Sequence, residues 1–231
     1  MKKLLRCIAL MNILLLSVSY GGSKYQLAKP GKLLLKENFD QPTLPELFTV
    51  GAGKWSIVDG VLRGREVAED KHTAFRKIYL DHQDVIYEYD MKLEGDGFHR
   101  LLINWGLAHI AKGEIHYNKA EVVKIREKGK RDQMTRLKHD HGLDPLQGNW
   151  DEKTFAMATE PLDLKEGNLY HVIIELVGDT ISLQIDGQQV VGQHIGLTEK
   201  KDNFGFQSGG LESYLYIDNV RVYEAQLTAK K

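Results

Sequence analysis

The sequence predicts an all-β sandwich with one long irregular insertion, and three observations carry that expectation. Tyr170-His171-Val172-Ile173-Ile174-Glu175-Leu176-Val177 is followed by Gly178-Asp179, then by Ile181-Ser182-Leu183-Gln184-Ile185-Asp186-Gly187-Gln188. Apolar runs of strand length are thus split by two-residue turns of the kind that closes β-hairpins. The end of the chain, Phe204-Gly205-Phe206-Gln207 and Tyr214-Leu215-Tyr216-Ile217-Asp218-Asn219-Val220-Arg221-Val222-Tyr223, alternates apolar and polar residues with the period that buries one face of a strand. At 231 residues the chain is long enough to fill such a core as one domain, read as residues 33–226.

In chain order, Lys2, Lys3 and Arg6 precede an apolar run from Cys7 to Val18, and small residues follow at Ser19, Gly21 and Gly22. This is the order of a secretory signal peptide over residues 1–22. The run, about 12 residues, falls short of the ~20 that a transmembrane helix needs. The expectation is therefore a secreted or periplasmic protein with no stable membrane span after signal removal. Residues 23–32 read as a short leader, and residues 33–39 as the first strand, ended by Asp40, Pro42 and Pro45. Asp59-Gly60 joins residues 54–58 to 61–64 in a hairpin that turns Trp55 and Leu62 into the core.

Residues 73–79 form a short strand and 85–93 a long one, with Tyr87, Tyr89, Met91 and Leu93 on one face and Glu88, Asp90 and Lys92 on the other. A turn at Glu94-Gly95-Asp96-Gly97 leads to a strand over 99–106, where His99, Leu101, Ile103 and Trp105 oppose Arg100, Leu102 and Asn104. The same alternation groups Glu114 with His116, and Val122 with Lys124 and Arg126. From 127 to 161 the β pattern fails in a stretch rich in Lys, Arg, Asp and His, then Gly142, Pro145, Gly148 and Asn149. Loops longer than ~12 to 15 residues inside a compact domain tend to be functional or disordered, so this insertion reads as a partial lid.

Composition narrows the classes of function. The chain carries 31 Lys and Arg against 32 Asp and Glu, and losing Lys2, Lys3 and Arg6 with the signal moves the net charge from -1 to about -4. No basic surplus points to nucleic acid. Cys7 is the only cysteine and leaves with the signal, so stability rests on packing, not on disulfides.

Several blocks resemble a known family. Trp55-Ser56-Ile57-Val58-Asp59-Gly60-Val61-Leu62, the strand over 84–93, Glu166-Gly167-Asn168-Leu169-Tyr170-His171-Val172, Ile185-Asp186-Gly187 and Ile217-Asp218-Asn219-Val220-Arg221-Val222 are similar to the recurring blocks of the 3-keto-disaccharide hydrolase-like domain. The resemblance implies a concanavalin A-like (laminin-G-like) jelly-roll sandwich and hydrolysis or lyase-like cleavage of a 3-keto-glycoside. In the middle section this chain departs from the family: Phe98-His99-Arg100-Leu101-Leu102-Ile103-Asn104-Trp105 stands where a Gly-rich strand is usual, and Glu114, His116 and Glu121 follow without a matching Gln. It reads as a divergent member.

Three constellations bear on chemistry. Glu88 and Asp90 begin like the Glu-x-Asp-x-x-Glu strand of retaining glucanases, whose acids must sit ~5 Å apart. The third acid, Glu94, is displaced by one residue and is read as turned to the other face, so this chemistry is set aside. Arg100, Asn104, Glu114, His116, Lys124 and Arg126 converge, if their strands are neighbours, on the concave face. There His116 is suited to act as base or acid with Glu114 as its partner, and the other four to hold substrate oxygens. The competing reading is an ordinary charged face with weak surface ion pairs. Trp150, in the insertion, is placed to stack on a sugar ring or to pin the loop to the sandwich.

His139-Asp140-His141 is a weak metal signal. No cofactor is expected, with calcium held by loop Asp residues and backbone carbonyls as the alternative. The partner expected is a carbohydrate or glycoconjugate. A noncatalytic interaction module of an envelope or polysaccharide-degrading system is the rival reading.

Overall fold

The computed structural model describes residues 24–48, 51–105, 108–124 and 155–227. The strands are β1 (Lys29–Glu37), β2 (Lys54–Val58), β3 (Val61–Arg65), β4 (Ala74–His82), β5 (Val85–Glu94), β6 (Phe98–Trp105), β7 (Ala108–Ile115), β8 (Lys119–Lys124), β9 (Phe155–Pro161), β10 (Leu169–Val177), β11 (Thr180–Ile185), β12 (Gln188–Gln193), β13 (Lys201–Gly209) and β14 (Tyr214–Gln226). Among the described residues, only two short 3-10 turns accompany them. One sheet runs β12-β11-β10-β5-β14-β3-β2, with β1 also paired to β14, and the other β4-β13-β6-β7-β8-β9, all antiparallel. No helix among the described residues is long and apolar enough to cross a membrane.

The hairpins form where sequence chemistry asks for them. Asp59 and Gly60 take φ of 52° and 75°, and Asp186 and Gly187 take 48° and 75°. Positive φ at both central positions makes the turn that matches strand twist, which explains the Asp-Gly pairs. The core lies between the sheets: Leu62, Met91, Leu101, Ile103, Val122, Ile174, Leu183, Phe204, Phe206 and Ile217 are fully buried. Each such side chain contributes roughly 1.5–3 kcal/mol on leaving water. Tyr87 and Tyr89 also face inward, and their hydroxyls meet partners instead of being stranded, His82 Nε2 for Tyr87 and His99 Nε2 at 2.8 Å for Tyr89. Burial pushes both imidazoles down, His82 to about 4 and His99 to about 3.

The amino-terminal boundary differs from the expected leader. β1 begins at Lys29, and residues 24–28 lie against the outward face of the larger sheet. The cause is Glu175, which alternation points outward from β10 and which is fully buried. Its carboxylate accepts the main-chain N–H groups of Gln26, Leu27 and Ala28 at 2.8, 3.0 and 3.1 Å and the Gln184 amide at 3.0 Å. A buried carboxylate needs such donors, and here they come from the segment that covers it. Ala28, Ile86 and Ile173 form a small second apolar cluster beneath, with Tyr25 and Tyr223 packed against it.

A second correction concerns Glu94. Residues 88, 90 and 94 have the same parity, so Glu94 shares the outward face with Glu88 and Asp90. All three acids are engaged there: Glu88 by Lys24 and Tyr25, each at 2.7 Å, Asp90 by His171 at 2.7 Å and Asn219 at 2.8 Å, and Glu94 by Lys92 at 2.6 Å and Tyr216 at 2.8 Å. A third concerns the insertion. Phe155–Pro161, read as irregular, is β9 and pairs with β8, and Met157 and Ala158 pack against the core from it. The signal-like residues 1–22, the His139-Asp140-His141 motif and the rest of the insertion from 127 to 154 lie outside the described residues.

Candidate functional site

On the smaller sheet, Leu101, Ile103, Ala111, Ile115, Phe204 and Phe206 turn to the core. Their neighbours in the alternation turn outward, and cross-strand register brings those neighbours into one row: Phe75 opposite Gln207, Gln207 opposite Arg100, Arg100 opposite Glu114, Glu114 opposite Glu121. The sheet thus assembles the site by pairing β4, β13, β6, β7 and β8 in that order.

Glu114 is the centre. Its Oε2 accepts from Arg100 Nε at 2.6 Å and lies 3.0 Å from Lys112 Nζ, while its Oε1 accepts from Arg100 Nη2 at 3.0 Å and from His116 Nε2 at 2.8 Å. Burial alone would raise its pKa, but the His116 and Arg100 hydrogen bonds, with the charges of Arg100 and Lys112, hold the carboxyl well below the usual range. Glu114 keeps 8 % of its side chain exposed, against 22 % for Arg100 and 27 % for His116. The anion therefore lies beneath, and its donors lie above at the surface.

With both oxygens occupied, Glu114 orients its neighbours. His116 spends Nε2 on Glu114, which leaves Nδ1 as the nitrogen of a partly exposed ring not used by Glu114, an arrangement suited to taking or giving a proton. The Arg100 guanidinium lies 4.0 Å from the centroid of Phe98, and the Phe98 and His116 rings are 5.6 Å apart. Gly209 pairs directly with Phe98, and a Cβ there would fall 2.3 Å from its ring. The glycine is what lets the aromatic ring lie across β13. Further along, Arg100 Nη1 donates to Gln207 Oε1 at 3.3 Å and Gln207 Nε2 donates to Thr73 Oγ1 at 2.6 Å.

Of the residues expected at the site, Arg100, Glu114 and His116 come together. Asn104 sits on β6 opposite Asn203, and its side chain lies outside what the structure describes. Lys124 takes the register position opposite Ala111, in the alternation of the core residues Ala120 and Val122, so the place on β8 across from Glu114 belongs to Glu121. Arg126 and Trp150 lie outside the described residues. Phe98, Lys112, Gln207 and Thr73 were not anticipated. The alternation 112, 114, 116 could have found Lys112, whereas Gln207 lies 107 residues from Arg100 in sequence and Thr73 reaches the site only through Gln207, 134 residues away from it.

No family model matches the chain, and no curated protein matches it either. Solved structures do match. The chain is similar to a protein of unknown function with a galectin-like fold from Bacillus subtilis (TM-score 0.60, 13 % identity, covering 87 % of this chain and 100 % of that one). It is also similar to the carbohydrate binding module CBM66 from Bacillus subtilis (TM-score 0.54, 14 % identity, 75 % and 94 % covered). A third is LamA from Z. galactanivorans in complex with laminaritriose and laminaritetraose (TM-score 0.57, 10 % identity, 84 % and 100 % covered). At these identities the likeness is one of fold: the chain is a two-sheet jelly-roll sandwich with a galectin-like fold.

Proposed function

We propose that the outward face of β13, β6 and β7 binds a carbohydrate or glycoconjugate, on a protein exported by the segment read as a signal peptide. The observation that supports this reading is the layered arrangement at Glu114. A buried carboxylate, also paired to the buried Lys112, holds Arg100 and His116 at the surface beside the aromatic Phe98, so charged donors stand next to a ring against which a sugar can pack. Two of the solved structures similar in fold are a carbohydrate binding module and a complex with laminaritriose and laminaritetraose, which agrees with this use of the scaffold.

The finer reading follows from the resemblance to 3-keto-disaccharide hydrolase-like domains. His116 Nδ1 is the base or acid at a keto-glycoside, Glu114 fixes the imidazole through Nε2, and Arg100 holds substrate oxygens. Asn104, Lys124, Arg126 and Trp150 belong to that reading as substrate contacts that stand as sequence expectations. The test is a glycan and keto-disaccharide screen on the mature protein, with and without chelator, repeated on His116→Ala. Binding and turnover both lost in the variant, with the fold intact, fit a catalytic site. Binding kept at reduced affinity, with no turnover by either protein, fits a noncatalytic module. A variant that binds as the parent does removes His116 from the site.

A further inference from the structure

The outward face of the larger sheet carries a second polar cleft, at the edge formed by β2 and β3. Trp55, Leu62 and Gly64 face inward, the Trp55 ring lying where a Cβ on Gly64 would come within 2.4 Å. Alternation therefore sends Lys54, Ser56, Arg63 and Arg65 outward, and register sets Lys54 directly opposite Arg65 and Ser56 directly opposite Arg63. With Gly64 and Tyr214 they line a cleft of about 110 Å³.

Three features of this cleft ask for an anion. Like charges directly opposite on one face of a sheet are destabilising, and Lys54 with Arg65 is such a pair. No carboxylate lines the cleft, and among the described residues none lies within ion-pair distance of Lys54, Arg63 or Arg65. The acids nearby are turned chiefly to other donors: Glu66 accepts the Gly210 N–H at 3.0 Å, Asp70 the Gly53 N–H at 2.5 Å, and Glu94 accepts from Lys92 and Tyr216. Arg63 donates to the Tyr216 hydroxyl and feels the Glu94 charge from beyond ion-pair distance, which leaves its remaining donors and those of Lys54 and Arg65 for a ligand. The Arg63 guanidinium lies 5.3 Å from the Tyr214 ring centroid, which fixes one wall.

Size and charge narrow the ligand. At about 110 Å³ the cleft is smaller than the ~300 Å³ or more of sites that enclose a whole small-molecule ligand, which suits one compact oxyanion better than a sugar ring. Three cations on two strands, with the Ser56 hydroxyl between them, offer donors from several directions. A tetrahedral group with three free oxygens can use that spread, whereas a planar carboxylate would be served by a single arginine.

We propose that Lys54, Ser56, Arg63 and Arg65 form a binding site for a tetrahedral oxyanion, a sulfate or phosphate group either free in solution or carried as an ester on a glycan. The site lies on the sheet opposite the one bearing Arg100 and Glu114, so it stands or falls independently of the carbohydrate reading.

The test uses the mature protein, its Arg63→Gln and Arg65→Gln variants, and Lys200→Gln as a control that removes an exposed charge elsewhere. Sodium sulfate is titrated against sodium chloride at equal ionic strength while backbone amide shifts are followed. Saturable sulfate-specific shifts at residues 54–65 and 214–216, weakened at least tenfold in both arginine variants and unchanged in Lys200→Gln, are the expected result. Thermal unfolding provides a second readout. Sulfate should raise the Tm of the parent by more than that of Arg65→Gln, a difference that sulfate's general stabilising effect cannot produce. In low salt without sulfate, Arg65→Gln should melt at or above the parent, because the Lys54 repulsion is relieved.

Dextran sulfate against unsulfated dextran separates the sources. Capture of the sulfated polymer at the same amides indicates a glycan-borne ester, and response to the inorganic ion alone indicates the free anion. Shifts no larger than with chloride, or sulfate binding equal in the parent and both arginine variants, would overturn the proposal.

Discussion

Each sheet buries a carboxylate on its outward face, and the two are satisfied by different donors. On the larger sheet, Glu175 is held by three successive main-chain N–H groups of residues 26–28 and by one side-chain amide. On the smaller sheet, Glu114 is held by the side chains of Arg100, Lys112 and His116, two of which are partly exposed. Main-chain donors cannot leave Glu175 without lifting the whole amino-terminal segment, so that interaction is a clasp. A guanidinium and an imidazole can share their outward donors with a ligand while still bound to Glu114, so the second arrangement can serve recognition.

The largest expected effect is common to both faces and sets the window in which they can be compared. His82 and His99 titrate near 6.5 in an unfolded chain but are pushed down to about 4 and about 3 in the core. Between those values the unfolded chain binds more protons, so their contribution is fully present above pH 6.5 and is lost as pH falls through the window. Each histidine should cost about 1.4 kcal/mol of stability per pH unit there. Denaturant unfolding between pH 7.5 and 4.5 checks this, and a flat profile would mean the imidazoles are not buried as neutral groups.

Next comes the clasp. Glu175→Ala should lower unfolding free energy by about 2–4 kcal/mol and expose the amides of residues 26–28 to rapid hydrogen exchange, because charged hydrogen bonds and a buried contact are lost together. Glycan binding should be unchanged. Arg100→Ala should show the reverse: at least a tenfold loss of glycan affinity, or about 1.4 kcal/mol, with a smaller change in stability. If the two substitutions gave the same pattern, the distinction between clasp and site would fail. The smallest effect is expected from Gly209→Ala, where the new methyl group would displace the Phe98 ring. Affinity should drop about threefold, the size of one lost aromatic contact, as calorimetry on the same glycan would show.

The features legible in sequence are those built from local rules. Asp59-Gly60 and Asp186-Gly187 announced their hairpins because only a few residue types accept positive φ, and the 85–93 alternation placed Tyr87 and Tyr89 inward. Arg100, Glu114 and His116 were legible as members of one face because β6 and β7 are adjacent in sequence. Lys124 shares the alternation of Ala120 and Val122, which reach the core, and on β8 the place across from Glu114 falls to Glu121, a register that no local pattern encodes. The leader hid its role because a buried Glu175 looks like any polar residue in a strand until its covering segment is known. Gln207 and Thr73 were invisible for a simpler reason. β13 brings Gln207 to the site from far along the chain, Thr73 joins only through Gln207, and no local pattern encodes that pairing.

The most direct measurement is chemical-shift mapping of a glycan, identified in the screen, on the isotopically labelled mature protein above pH 7. Binding at the Glu114 site should move the amides of residues 98–102, 112–116 and 205–209, and Arg100→Ala should abolish those shifts at the same glycan concentration. Shifts confined to the larger sheet, around residues 24–28 and 168–175, or a screen in which no glycan binds, would contradict it.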